Sequence, residues 1–162
     1  NLEDCIVLNK LGVEKFVLTS QFKKAGLIRS IANVFGSQAA SVCLNYNFSS
    51  LPPSQAENYI DTTSKLINGA KWSQEQGAGE IILQNIERDG TRLGYDLETL
   101  HLLRKHLTVQ LVAAGGAGTE EDMRAAIRYG ATGVCGASIY FLKKSKQDIL
   151  IRYPKALGLG NE

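Results

Sequence analysis

The sequence predicts an α/β fold built on a parallel sheet. Short, β-branched, apolar runs alternate along the chain with segments of helical periodicity, and 162 residues hold about five such strand–helix units. The runs are apolar throughout rather than alternating, which is typical of parallel strands covered by helices on both faces. Glycine and polar residues cluster after the runs, at the strand ends where parallel α/β folds bind ligands.

Composition indicates one ordinary folded domain over residues 1–162. The chain is 44% hydrophobic and carries a net charge of +2, which argues against disorder and against nucleic acid as the main partner. No apolar window approaches the length of a membrane span, and no secretory signal opens the chain. We therefore expect a cytoplasmic protein with neither a membrane nor a nucleic-acid partner.

Each element is predicted from its local pattern. Two helices have clear end signals: Asp96 is a candidate N-cap of the helix at 97–107, and Thr119 and Gly130 bound the helix at 119–130. Another amphipathic helix is expected at 27–36. The predicted strands span residues 15–20, 40–47, 80–86, 109–116 and 132–138.

Three stretches are harder to interpret. Residues 48–59 are polar, contain a Pro pair and are expected to form a loop. Residues 60–77 are poorly patterned and are expected to hold short strands followed by a helix. Residues 146–153 are expected to form a short closing helix or an extended tail.

A weak internal repeat relates residues 2–20 to residues 120–138. Each copy reads as a helix, a glycine stop and a strand ending in serine, with chance identity as the alternative explanation. The second copy is preceded by a strand and a glycine turn at 109–118 that the first copy lacks. We therefore expect the chain to open in the middle of a strand–helix unit. The identical pairs are Glu3 with Glu121, Asp4 with Asp122, Gly12 with Gly130, and Ser20 with Ser138.

The three cysteines, Cys5, Cys43 and Cys135, are odd in number, far apart and set among apolar residues. This pattern favours three buried, reduced thiols, and the alternative is a disulfide or a catalytic thiol. His101 and His106 are five residues apart on one helix and do not face a common metal. No Cys/His cluster has zinc spacing, so we expect no metal and no cofactor.

Two adjoining strand ends suggest a phosphate site. Gly115 and Gly116 follow a strand and precede a helix, where backbone N–H groups can approach an anion, and a simple tight turn is the alternative. Ala137 and Ser138 end the next strand with a small residue and a hydroxyl. Barrels use such a pair of neighbouring ends to hold phosphate.

Other strand ends carry further candidates. Thr19 and Ser20 end an earlier strand and, through the repeat, would make a second phosphate contact, with ordinary strand-end hydroxyls as the alternative. Asp89 lies in a polar loop before Gly90 and could accept a proton or bind a hydroxyl, unless the loop is simply solvated. Asn45 ends the second strand, where an amide can orient a ligand but cannot act as a general base.

Lys15 and Glu80 begin their strands, at the opposite end of the sheet from these candidates. Their position alone predicts only that the two charged side chains are exposed to solvent.

Three runs carry a resemblance to a known family: GAGEIILQNIERDGTRLGYDLETL (77–100), VAAGGAGTEEDMRAAIRYGATGVCGAS (112–138) and VFGSQAASVCLNYN (34–47). They closely resemble the cyclase subunit of imidazole glycerol phosphate synthase, the HisF family of histidine biosynthesis. The ending ILIRYP (149–154) looks more like a paralogous branch associated with acetamidino-sugar modification of surface polysaccharides. The resemblance implies a phosphate-binding (βα)8 barrel, of which this chain would hold strands four to eight.

The resemblance also implies roles for the candidates. The substrate would be a small molecule with a phosphate at each end, and Asp89 would be an active-site residue. Lys15 and Glu80 would belong to a charged ring where ammonia enters from a separate glutaminase subunit. One phosphate would lie near Gly90, Gly116, Ala137 and Ser138, and the other near Thr19 and Ser20.

Departures from the family pattern put catalysis in doubt. The family uses two essential aspartates, on strands one and five; strand one is absent here and Asn45 stands at the strand-five position. An amide transfers no proton, a loss worth about 10²–10⁴-fold in rate. Gln84 and Asn85 stand where the family has Thr and Ser. The alternatives are therefore the polysaccharide paralogue, or an inactive phosphate-binding partial barrel that pairs with another copy through its open sheet edges.

Overall fold

The structure, a computed structural model, describes residues 1–20, 23–24, 26–48 and 56–141, with backbone alone for 56–60 and 141. Helices and strands alternate through these residues. In chain order they are α1 (Leu2–Lys10), β1 (Phe16–Leu18), α2 (Leu27–Phe35), a 3₁₀ turn (Ser37–Ala39), β2 (Ala40–Tyr46), α3 (Ala56–Glu75), β3 (Glu80–Asn85), α4 (Leu97–Arg104), β4 (Gln110–Ala114), α5 (Glu120–Arg128), β5 (Gly133–Cys135) and α6 (Ser138–Phe141).

The five strands form one sheet in the order β1-β2-β3-β4-β5, and every neighbouring pair is parallel. The predicted parallel α/β sheet is therefore confirmed. Because all strands run in one direction in sequence order, their carboxyl ends follow one another along a single edge. In the described part of the sheet, β1 and β5 are the outer strands.

The hydrophobic core lies on one face of this sheet. Val42, Ile81 and Leu111 occupy matching register positions and belong to one buried cluster with residues from helices α1 to α5. The alternate residues form the second face, defined by Val17, Cys43, Ile82, Val112 and Cys135, and they lie outside that cluster.

The expectation that helices cover both faces is wrong for the described residues. Apolar side chains on the second face produced the uninterrupted runs in the sequence, yet Val17 is 51% exposed. A barrel interior accounts for both observations, because strands closing into a barrel fill their inner face with apolar side chains that no helix covers.

The predicted helix ends are confirmed. The Asp96 carboxylate accepts a hydrogen bond from the Thr99 amide at the start of α4, and the Thr119 hydroxyl accepts one from the Asp122 amide at the start of α5. Gly130, just beyond α5, adopts a φ of +104°, a left-handed conformation that favours glycine.

The prediction for residues 60–77 is wrong. A single helix, α3, runs from residue 56 to residue 75. Its polar residues obscure the pattern, but Leu66, Ala70 and Ser73 recur at helical spacing and are buried. Tertiary packing of this narrow stripe overrides weak local propensity.

Two other predictions fall partly or wholly outside the described residues. Of the loop predicted at 48–59, residues 49–55 lie outside the described residues, whereas 56–59 belong to α3, so the loop prediction is wrong there. The tail predicted at 146–153 lies beyond residue 141. None of the helices in the described ranges is both long and apolar enough to cross a membrane.

The one-sided core predicts different costs for two adjacent isoleucines of β3. Ile81→Ala removes a side chain with 0% exposure from the core and should lower the free energy of unfolding by about 2–5 kcal/mol. Ile82→Ala removes the same atoms from the half-buried second face and should cost clearly less. Denaturant unfolding of both variants measures the difference; equal losses would contradict a core on one face.

Candidate functional site

The carboxyl edge of the sheet brings together most of the predicted site residues. The pairs Asn45 with Gln84 and Ala114 with Cys135 are in register, so the segments that follow these strands are neighbours. The residues that end or follow the five strands here are Thr19 and Ser20 after β1, Asn45 in β2, Gln84 in β3, Gly115 and Gly116 after β4, and Ala137 and Ser138 after β5.

The two turns expected to bind phosphate lie against each other. A Cβ placed on Gly136 would approach the Cβ of Ala117 to 3.0 Å, so the segment after β5 contacts the glycine turn after β4. Ser138 is the first residue of α6, and Ala137 before it is exposed. Small side chains therefore meet at the ends of two neighbouring strands.

Close packing explains the glycines of this turn. Gly116 has a φ of +108°, and a Cβ on it would collide with the Gly94 carbonyl oxygen. A Cβ on Gly115 would collide with the Asn85 carbonyl oxygen. The Gly94 amide also donates a 2.8 Å hydrogen bond to the Gly116 carbonyl. The loop after β3 thus rests directly on the glycine turn, which supports the tight-turn interpretation.

The N-terminus of α5 is already occupied. The Asp122 carboxylate accepts hydrogen bonds from the Gly118 amide at 3.1 Å and the Thr119 amide at 2.8 Å. Since these donors and the helix dipole already face a negative charge, this terminus offers little further attraction to a ligand anion. The expected contribution of this helix to a phosphate site is therefore reduced.

A chain of polar side chains links Asn45 to Asp89. The Cys43 thiol donates to Asn45 Oδ1 at 3.2 Å and lies 3.6 Å from Gln84 Oε1. Gln84 Nε2 in turn donates to Asp89 Oδ2 at 3.3 Å. Burial, with a smaller effect of Cys135, raises the pKa of the Cys43 thiol, so it stays protonated and remains a donor. The amide oxygen of Asn45 is therefore held by the thiol, and the residue is exposed at the sheet edge.

The loop that carries Asp89 and Gly90 is anchored at its base. Asn85 Oδ1 accepts from the amides of Glu87 and Arg88, both at 3.1 Å, and Arg88 Nη1 donates to the Gly94 carbonyl at 3.1 Å. Asp89 and Gly90 are exposed at the tip. The loop is therefore ordered by the protein rather than simply solvated, and sequence reasoning missed the anchoring residues.

Lys15 and Glu80 meet at the amino-terminal end of the sheet. Lys15 Nζ lies 2.8 Å from Glu80 Oε2, and the Ser41 hydroxyl donates to Glu80 Oε1 at 2.7 Å. Glu80 is only 8% exposed, so the expectation that its charge meets solvent is wrong. Both carboxylate oxygens are hydrogen-bonded, as a buried carboxylate requires. Ser41 was not predicted, because a serine within an apolar strand gives no sequence signal.

The cysteine prediction is right for two residues and wrong for the third. All three thiols are free; Cys5 and Cys43 are buried, but Cys135 is exposed on the second face. Burial of its sulfur, with a smaller effect of Glu80, nonetheless raises the pKa of Cys135. The outer position of β5 explains its exposure. His101 and His106 are both exposed, as expected for surface residues.

A cavity of about 910 Å³ opens at the carboxyl ends of β1 and β2. It includes Thr19, Ser20 and Asn45, three of the predicted site residues. Gly115, Gly116, Ala137 and Ser138 do not line it, so the structure separates the two expected phosphate groups. The remaining lining residues are Lys23, Cys43, Leu44, Tyr46, Asn47, Thr62, Lys65, Leu66, Asn68, Gly69 and Trp72.

Residues 1–146 match the family model described as histidine biosynthesis protein. The chain belongs to this family. The resemblance read from the sequence is thereby confirmed, and the five parallel strands are consistent with the (βα)8 barrel of the family, incomplete here.

Several relatives carry the name imidazole glycerol phosphate synthase subunit HisF. The protein from Wolinella succinogenes is 36% identical over 98% of this chain and 64% of its own length. That from Streptomyces coelicolor is 34% identical over 85% of this chain and 57% of its length. The protein from Pyrobaculum aerophilum is 32% identical over 98% of this chain and 64% of its own length. The chain thus spans less than two thirds of these relatives.

Packing of the glycine turn predicts unequal effects of two alanine substitutions. Gly90→Ala places a Cβ at a φ of +77° with nothing within 4 Å, and should cost about 1–2 kcal/mol of backbone strain. Gly116→Ala adds the collision with Gly94 and should cost about 1–3 kcal/mol more. Thermal and denaturant unfolding measure both; a Gly116→Ala variant as stable as Gly90→Ala would contradict the packing described.

Thiol exposure predicts one fast-reacting cysteine. A disulfide reagent should modify Cys135 first, and Cys135→Ser should remove this fast phase. Because the pKa of Cys135 is raised, little thiolate is present at neutral pH, and the rate should keep rising as the pH climbs past the ordinary thiol range. A fast phase that survives in Cys135→Ser would contradict the assignment.

Proposed function

We propose that this chain acts as the synthase (cyclase) subunit of a glutamine-amidotransferase-dependent imidazole glycerol phosphate synthase, closing a ring with ammonia in histidine biosynthesis. The single observation that carries the proposal is the clustering of Asn45, Gln84 and Asp89 beside the glycine turn at one sheet edge. Support also comes from the relatives named HisF.

The substrate in this proposal is a phosphorylated small molecule. Gly116, Ala137 and Ser138 would bind one phosphate with backbone amides and a hydroxyl, and Gly90 would approach it from the loop tip. Thr19 and Ser20 would bind the other. Asp89 is exposed at the same edge, hydrogen-bonded to Gln84, and would exchange protons with the substrate.

The partner in this proposal is a glutaminase subunit at the amino-terminal end of the strands. Ammonia would enter past the Lys15–Glu80 pair and move along the second face toward Asn45. The neutral form is the nucleophile, and passage away from water keeps it unprotonated. Glu80, Ile82 and Gln84 lie on the same face of β3, which joins the two ends directly.

One observation favours a second candidate function. Asn45 holds an amide where the family has a carboxylate, so this chain would bind phosphorylated ligands without cyclisation. In that case a second copy could pair with the outer strands β1 and β5. The polysaccharide paralogue draws its only support from 149–154, which lies outside the described residues. We propose a cytoplasmic location for any of these activities.

Substitution of Asn45 separates the two candidates. The assay supplies ammonium salt and the substrate of the synthase. It also adds, as a separate chain, the segment of the Wolinella succinogenes relative that this chain does not cover. Under these conditions Asn45→Asp should form imidazole glycerol phosphate about 10²–10⁴-fold faster than the parent. The reason is that a carboxylate transfers a proton and an amide does not.

The matched control is Asn45→Asp combined with Asp89→Asn, which keeps the shape of the loop residue and removes its proton transfer. This double variant should lose most of the rate increase expected for Asn45→Asp alone. Equal and negligible turnover in parent and Asn45→Asp, with phosphate binding intact, would reject cyclisation and leave the binding function.

A further inference from the structure

Both ends of the loop that joins β3 to α4 meet at one tyrosine of β2. This loop, residues 86–96, carries Asp89. At its start, the Ile86 amide donates a 3.0 Å hydrogen bond to the Tyr46 carbonyl. At its end, the Tyr46 hydroxyl donates to Asp96 Oδ2, also at 3.0 Å. The backbone and the side chain of one residue therefore hold the two ends of the loop together.

The contact between the Tyr46 hydroxyl and Asp96 is protected from solvent. Tyr46 is buried, and burial, with a smaller effect of the Asp96 charge, raises the pKa of its hydroxyl, which therefore stays protonated and remains a donor. Asn85, the register partner of Tyr46 on β3, adds a contact to the same hydroxyl. Asp96 Oδ2 also accepts the Thr99 hydroxyl at 2.8 Å, so Asp96 links β2 to the first turn of α4.

The far part of the loop is held in a strained conformation. Arg92 has a φ of +62°, and within the described ranges it is the one non-glycine residue with a positive φ. Its Nη2 donates to the Gly118 carbonyl at 3.2 Å. Strain of this kind persists where the surrounding structure fixes the backbone on both sides. Release of the loop end at Asp96 should therefore let this part of the loop, and Asp89 with it, leave the position described.

We propose that Tyr46 is a positioning residue, which keeps Asp89 at the carboxyl edge of the sheet by holding both ends of the β3–α4 loop. In the part of the chain that the structure describes, its hydrogen bonds go to the loop ends rather than to Asp89, so Tyr46 acts through the loop backbone. Its ring belongs to the hydrophobic core, which keeps the hydroxyl in place. The part that Asp89 plays rests on the proposed function, whereas the hold on the loop does not.

Trypsin cleavage after Arg92 measures how often the loop opens in the folded full chain. Tyr46→Phe removes the hydroxyl and keeps the ring, and it should raise this rate about 3- to 10-fold. Asp96→Ser can still cap α4 but is too short to reach Tyr46, and it should raise the rate to a similar extent. The matched control is Ser73→Ala. It removes another buried hydroxyl, which donates to the Gly69 carbonyl inside α3, and it should leave the rate unchanged.

Cleavage after Arg128, an exposed residue of α5, is the internal reference. A rise after Arg92 but not after Arg128, in both Tyr46→Phe and Asp96→Ser, supports the hold on the loop. This result would stand even where no imidazole glycerol phosphate forms, and then the proposed function alone fails. An unchanged rate after Arg92, or an equal rise at both sites, would overturn the proposal.

The effect on Asp89 is measured where the Asn45→Asp chain turns over the substrate of the synthase. Tyr46→Phe added to this chain should lower kcat about 3- to 10-fold, because Asp89 is then in place for a smaller fraction of the time. Ser73→Ala added to the same chain should leave kcat unchanged. A loop that opens faster in Tyr46→Phe with no change in kcat would reject the positioning role.

Discussion

The parallel pairing of β3 with both β2 and β4 determines how the sheet, its core and its polar edge are arranged. It fixes which side chains face the helices and which face the opposite way. Ile81 and Leu83 enter the core, so Glu80 and Gln84 must share the second face. A shift of one residue in this pairing would exchange the core-facing and second-face side chains of β3 and bury Glu80 and Gln84 in the hydrophobic core.

This alternation places two polar clusters at opposite ends of the same face of β3. Glu80 anchors one cluster with Lys15 and Ser41, and Gln84 anchors the other with Cys43 and Asp89. The two residues are four positions apart on one extended strand, a span of about 13 Å. Between them the second face presents the half-buried apolar side chain of Ile82.

Sequence patterns predicted most of the fold because each pattern reflects a local cause. β-branched runs gave the five strands, and Asp96 and Thr119 were recognised as caps because a side-chain oxygen there satisfies an exposed helix amide. The sequence pattern did not predict α3 as one continuous helix, because only a narrow stripe of its residues is buried. Its stability comes from packing on β2, a contact between distant segments that local pattern does not encode.

Site residues were predictable where the chain itself marks a strand end, and not where partners come from elsewhere. The places of Gly116 and Asp89 beyond the ends of β4 and β3 were predicted from the sequence alone. The burial of Glu80 was missed, since it depends on Lys15 and Ser41 of two other strands. The exposure of Cys135 was missed because an apolar neighbourhood in sequence does not reveal an outer strand.

The Asn45 amide changes what the carboxyl edge can do, and the structure gives the reason. A carboxylate at this position would be acceptor-only and would compete with Asp89 for protons, whereas the amide has its oxygen held by the Cys43 thiol and turns two N–H donors outward. A thiolate in place of that thiol would repel the amide oxygen, and burial, which raises the pKa of the Cys43 thiol, keeps the thiol protonated to a higher pH than is usual. The edge therefore offers donors at β2 and an acceptor at the β3 loop, a polarity that suits a ligand whose negatively charged or carbonyl oxygen faces Asn45 and whose hydroxyl faces Asp89.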